Sequence, residues 1–199
     1  MEENKKITDR EEALKEYDEN YHLERIDNSL KADREFMLVV VSVRGVLLEE
    51  ADDTLKADRE VVIEAVRNDS NALEYADDIL KADREVVLEA VRNDNWGGAL
   101  SYAHDSFKAD REVVLEAVRN DGRALKYADD SLKSDRELVL EAVKSSASGL
   151  VYAADILRAD REVVLEAVRS NGSAIQFASE ELEKDPEIIK IANETRSWR

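Results

Sequence analysis

An Asp opens the same phrase seven times along this chain, at Asp33, Asp58, Asp83, Asp110, Asp135, Asp160 and Asp185, in steps of 25, 25, 27, 25, 25 and 25 residues. Its full form is LKADREVVLEAV at Asp83 and LRADREVVLEAV at Asp160. A fixed period of this length marks a stack of small units, each burying its apolar face mainly against its neighbours. The expectation is an all-α fold, an α-solenoid of about seven stacked two-helix repeats with atypical capping ends.

The physics of one repeat supports that reading. Asp58 precedes REVVIEAVR, and its carboxylate suits a helix N-cap because it accepts from the first free amides. Glu60 then lies in the first turn and Arg67 near the last, each at the end of the helix that favours its charge. Val62, Ala65 and Val66 fall at helical spacing and form the buried stripe, which Val61 and Ile63 widen. Gly45, Gly122 and Gly172 share the position after this helix with Ser70 and Ala147, and the expectation there is a left-handed C′ residue. A second, shorter helix over residues 72–80 should bury Ala72, Ala76, Ile79 and Leu80. Pro186 follows Asp185, where a first-turn proline is tolerated.

The ends depart from the pattern. Residues 1–20 suggest an acidic capping helix, with Asp9-Arg10-Glu11 resembling a degenerate repeat start. Residues 21–195 carry the solenoid, with Leu23, Ile26 and Leu30 matching Leu73, Ala76 and Leu80, and residues 196–199 form a short tail. The first full helix is unusually apolar from Phe36 to Val41, so its extra surface needs a cover, either the amino-terminal helix or another chain. Lys190, Ile191 and Asn193 replace Leu, Glu and Val in the last helix, as expected of a cap.

Three ladders cross the repeats. Tyr75, Tyr102, Tyr127, Tyr152 and Phe177 suggest a packed aromatic ridge rather than a stripe for stacking ligands. Arg34, Arg59, Arg84, Arg111, Arg136 and Arg161 each follow an Asp cap and are expected to pair with nearby carboxylates. The third ladder is acidic: Asp52-Asp53, Asp77-Asp78, Asp105, Asp129-Asp130, Asp155 and Glu180.

The phrase DREVVLEAV followed by NG, AL and an aromatic-Ala pair resembles the repeats of the family known as domain of unknown function 4116. The resemblance covers residues 21–195 and is specific in its Asp cap, Val-Val pair and aromatic-Ala. It implies tandem helical repeats and carries no settled activity. The chain departs from it at the Trp96 insertion and in the apolar first unit.

Formal net charge is −18. Such acidity disfavours direct binding to nucleic acid or to an anionic membrane, and favours a protein partner with a basic surface. The amino terminus lacks the apolar core of a secretory signal, and no apolar run is long enough to span a bilayer. The expectation is a cytoplasmic protein.

Nothing points to catalysis, and no cofactor or metal is expected. The only histidines are His22 and His104. His104 stands where sibling repeats carry Asp, beside Asp105, with no matched nucleophile. The Asp pairs lie on helices, without the alternating loop oxygens of a calcium site. The one length break inside the array is Asn95-Trp96-Gly97-Gly98. Insertions in repeat proteins concentrate on a binding face and Trp is enriched at hot spots, although Trp96 could equally fold back as a plug. Trp198 in the tail allows the same alternatives. The candidate contact surface is therefore Trp96 with Asp77, Asp78, Asp105, Asp129 and Asp130. The first functional reading is a non-catalytic protein-interaction scaffold. The alternative is a phage or mobile-element type inhibitor whose acidic surface occupies the nucleic-acid-binding groove of a partner.

Overall fold

The computed structural model describes residues 6–20 and 23–196. His22 and Trp198 lie outside the described residues. The chain is an all-α repeat solenoid, and it divides into two compact units, Met1–Asn93 and Asp94–Arg199. Among the described residues the only β-type pairing is the isolated bridge between Ile7 and Ile26. No helix among them is long and apolar enough to cross a membrane.

Each full repeat has three pieces where the sequence suggested two. In the repeat opened by Asp58 these are an α-helix, Arg59–Asn68, a 3₁₀ segment, Ser70–Tyr75, and a single α-turn, Asp78–Lys81. The supposed second helix breaks at Ala76, whose backbone is extended at φ −66° and ψ 152°. Asp77 then restarts the helix, its Oδ1 accepting from Ile79 N at 2.9 Å. The restart resets the helical phase. Leu80 turns inward and is buried, while Ile79 is left 78 % exposed. Ile79 is therefore not part of the apolar face. Ile156, its equivalent in a later repeat, is 72 % exposed.

The long helices bury the stripe that the sequence indicated. Val61, Val62, Ala65 and Val66 are fully buried, as are Val113, Val114 and Val118. Each Asp opening a phrase caps its helix. Asp58 Oδ1 accepts from Glu60 N and Val61 N at 3.0 and 3.2 Å, and Asp160 Oδ1 accepts from Glu162 N and Val163 N at 2.9 and 3.1 Å. Asp185 does the same ahead of Pro186.

The glycines after the helices serve a different purpose from the one expected. Gly97 alone is recorded with positive φ, so Gly45, Gly122 and Gly172 are not left-handed C′ residues. They lie against the next repeat. A Cβ on Gly45 would come 2.2 Å from Ala65 O, and one on Gly122 would come 1.9 Å from Ala142 O. Close backbone approach selects glycine there.

The Arg ladder pairs with carboxylates, and it does so between repeats. Arg34 donates to Asp58 at 2.7 Å and to Glu60, both in the following repeat. Arg111 reaches Asp135 and Glu137 at 2.6 and 3.0 Å, and Arg136 reaches Asp160 and Glu162 at 2.9 and 2.5 Å. Arg10 pairs likewise with Asp33 and Glu35, which makes the amino-terminal helix, Arg10–Asn20, a genuine member of the stack. That helix also covers part of the apolar first repeat, while Val39 and Val43 stay about half exposed. Ala13 and Tyr17 are fully buried, and the Tyr17 hydroxyl donates to Val40 O at 3.2 Å. A backbone ladder runs in parallel. Asp77 N donates to Lys56 O at 2.9 Å in the first unit, and Asp129 N to Lys108 O at 2.8 Å in the second.

Two expectations test this account. Val114→Asp should cost about 3 kcal/mol or more, because it places an uncompensated charge in a fully buried site, whereas Ile156→Ser should stay within about 0.5 kcal/mol. Equal shifts in melting temperature would show that the phase reset is misassigned. The second concerns acid. Arg34, Arg111 and Arg136 hold Asp58, Asp135 and Asp160 below the usual carboxylate range, each more strongly than burial raises it. A depressed carboxyl pKa stabilises the fold above the unfolded value near 3.8 and loses that effect as pH falls through the folded value. The melting-temperature gap between wild type and Arg136→Gln should therefore be widest near neutral pH and close below about pH 4, and added salt should narrow it.

Candidate functional site

Trp96 stands on a loop of the second unit that is braced by hydrogen bonds. The Asp94 side chain is buried, and its two oxygens accept from Trp96 N at 2.9 Å and Ala99 N at 2.6 Å. Gly97 adopts φ 71°, and a Cβ there would meet Ala124 N at 2.9 Å, so glycine is required both by the backbone and by the space. This brace leaves Trp96 74 % exposed. It is not a plug. The Arg123 guanidinium carbon lies 5.8 Å from its ring centroid. Arg123 is itself held by Asp121, its Nε lying 2.9 Å from Oδ2. Burial pushes the Asp121 carboxyl up, but the Arg123 hydrogen bonds outweigh that and leave it below the usual range.

The acidic pairs have divided roles. The first member of each pair is a cap. Asp77 caps Asp78–Lys81, and Asp129 caps Asp130–Lys133, its Oδ1 accepting from Ser131 N at 2.9 Å and from the Ser131 hydroxyl at 2.6 Å. The Ser131 bonds hold the Asp129 carboxyl below its ordinary value. The second member points to solvent. The side chains of Asp78, Asp105 and Asp130 are 98, 92 and 95 % exposed. Each lies near a lysine three residues on, at 3.5, 3.0 and 3.0 Å for Lys81, Lys108 and Lys133. Exposed pairs of this kind bind weakly and leave carboxylate lone pairs facing solvent.

Among the suggested contact residues, Asp77 and Asp78 belong to the first unit, and Trp96, Asp105, Asp129 and Asp130 to the second. Within the second unit Asp105, Asp129 and Asp130 come together around an open depression of about 340 Å³, lined also by Lys108, Tyr127 and Ala128. Trp96 does not line it. A second depression, of about 390 Å³, lies between the helices Arg111–Asn120 and Arg136–Ser145. Leu115 and Leu140 form its apolar lining, and its charges pair internally, Arg111 with Glu137 and Arg119 with Glu141.

A family model described as Domain of unknown function (DUF4116) matches residues 33–81, 58–108, 83–130, 110–158 and 160–197, in register with the Asp caps. The chain belongs to this family. As a DUF4116 protein it is an array of that domain, the first four matches each spanning about two of its 25-residue periods and the last about one and a half. No curated protein and no solved structure matched it.

His104 fills the cap position that Asp77 and Asp129 fill elsewhere. Its Nδ1 accepts from Ser106 N at 3.3 Å, as the cap carboxylates do elsewhere, and lies 2.9 Å from the Ser106 hydroxyl. Among the described residues no three His, Asp or Glu side chains converge to hold a metal ion. The Asp94 brace and the Arg123 platform escaped the sequence reading. Asp94 sits at the same repeat position as Asp69, Asp121 and Asn171, each of which caps a 3₁₀ segment. That alignment is the signal that could have found it. His104→Asp in this DUF4116 array should restore the usual cap and leave the melting temperature unchanged or slightly raised. A rise with zinc in wild type but not in the variant would instead mark His104 as a ligand.

Proposed function

We propose that this protein is a non-catalytic binding module for a protein partner with a basic surface. The observation that carries the reading is the division of charge within each repeat. The Arg residues and the N-cap Asp residues satisfy one another between repeats, whereas Asp78, Asp105 and Asp130 recur at one repeat position and face solvent. A repeated, solvent-facing charge of one sign steers an oppositely charged partner. Trp96 supplies an apolar anchor on a loop that is already ordered, so little conformational freedom is lost when it is buried. Occupation of a nucleic-acid-binding groove is the less favoured reading, because many acids are already tied to Arg within the stack.

The test compares Trp96→Ala with the double change Asp105→Lys and Asp130→Lys, both in fully exposed side chains, so that the Asp129 cap is untouched. A partner captured by wild type should lose about 2 kcal/mol or more of affinity on Trp96→Ala. The double change should slow association and remove its salt dependence. Unchanged affinity and rate in both variants would overturn the reading.

A further inference from the structure

A second ladder of ion pairs crosses the long helices, and it has a gap in the first unit. Six residues after the Asp caps stand Glu64, Glu89, Glu116, Glu141 and Glu166, and nine residues after them Arg67, Arg92, Arg119, Lys144 and Arg169. Arg67 and Arg119 each reach the Glu of the next repeat, with Nε 2.8 Å from Glu89 Oε1 and 3.5 Å from Glu141 Oε2. The helix Arg34–Val43 instead has Val39 and Ser42 at these two positions, and Val43 where Asn68 and Asn120 stand later. Glu64 therefore meets a serine where Glu89 meets an arginine. Among the described residues no hydrogen bond or ion pair reaches the Glu64 carboxylate, although the residue is partly buried. Glu166 lacks its donor as well, because Lys144 turns back to Glu141 at 3.2 Å. There, however, the preceding helix carries Glu141 and Ser145 in place of Val39 and Val43.

The two features of the gap lie side by side. Asn68, one turn beyond Glu64 on the helix Arg59–Asn68, donates to Ser42 O at 2.9 Å and accepts from Gly45 N at 2.7 Å. That latch sets this face of the helix against Ser42 and Val43. Val39 and Val43, one turn apart, are 44 and 50 % exposed. An exposed apolar pair beside a carboxylate that lacks its cation complements an apolar side chain with a cation next to it, since one contact removes apolar area from water and the other is charge-assisted. A second copy of the chain is a poor occupant, because its net charge of −18 repels its like. We propose that this strip of the first unit docks a partner segment in which apolar residues adjoin an arginine, the guanidinium taking at Glu64 the place that Arg67 takes at Glu89. This rests on the basic-partner reading above and adds a contact in the first unit.

The probes are the peptides acetyl-Leu-Leu-Arg-amide, acetyl-Leu-Leu-Gln-amide and acetyl-Ser-Ser-Arg-amide, titrated at low salt into the full chain with isotope-labelled valine methyl groups. The first should shift the Val39 and Val43 signals and bind about fivefold more tightly than either control. Glu64→Gln should reduce it to the level of the Gln peptide, and Glu166→Gln should change nothing. Ser42→Arg supplies the missing guanidinium within the chain and should abolish the preference for arginine. Equal binding of the three peptides, or a preference that survives Glu64→Gln, overturns the site. If the Leu-Leu-Arg peptide loses its binding in the Asp105→Lys, Asp130→Lys double change and keeps it in Glu64→Gln, the basic-partner reading stands and this site falls. A dimer in sedimentation that Val39→Glu dissociates would assign the strip to a second copy and overturn the proposal; that variant carries the residue of the later repeats, so its fold should be kept. Absence of any shift with either arginine peptide overturns both readings.

Discussion

The structure depends on the double use of one carboxylate. Each phrase-opening Asp accepts from the first amides of its own helix, and most also receive the guanidinium of the preceding repeat. One oxygen serves the local helix and the other serves the stack. Asp58 Oδ1 binds Glu60 N and Val61 N, while Oδ2 binds Arg34 Nε. Local and long-range order are therefore coupled at one atom pair, and a helix that frays also loses its neighbour. The arrangement is permitted because these carboxylates lie at the rim of the stack, where their desolvation is modest. The free energy of stacking comes mainly from the fully buried Val, Ala and Leu side chains. The polar ladder instead fixes register, since an Arg one turn out of place would miss both its acceptors.

The backbone ladder explains why the turn after the 3₁₀ segment is extended. Asp77 N must donate outward to Lys56 O of the previous repeat, and a continuous helix would have claimed that amide internally. Breaking the helix at Ala76 frees it. The break also places two acids in succession, one as a cap and one in solvent. The exposed acidic row is thus a consequence of how the repeats are joined, and its second member pairs only with a lysine three residues on.

The 27-residue step is the one departure from this regularity inside the array, and it is a built feature. Two added residues would ordinarily loosen a loop. Here Asp94 takes up two amides, and Gly97 passes close to Ala124 in a conformation other residues avoid. The result is a Trp held out from the surface against Arg123.

Much of this was legible in the chain itself. The period, the Asp caps and the Val-Val-Ala-Val stripe follow from residue type and spacing, because capping and helical burial are local and depend on positions three or four residues apart. The register of the short segment was not legible. Ala72 to Leu80 suits one amphipathic helix by composition, and only the demand of Lys56 O for an amide from the next repeat decides that it breaks, which turns Ile79 outward. The glycines were legible as punctuation but not in their reason, since a missing Cβ at Gly122 answers to Ala142 O, a neighbour brought near only by stacking. Trp96 was marked by the insertion, yet its exposure depends on Asp94, Gly97 and Arg123 acting together. The sequence determined what each repeat is made of. The tertiary structure decided which side chains the joining of repeats consumes and which it leaves facing solvent, because that depends on contacts between residues about 25 positions apart.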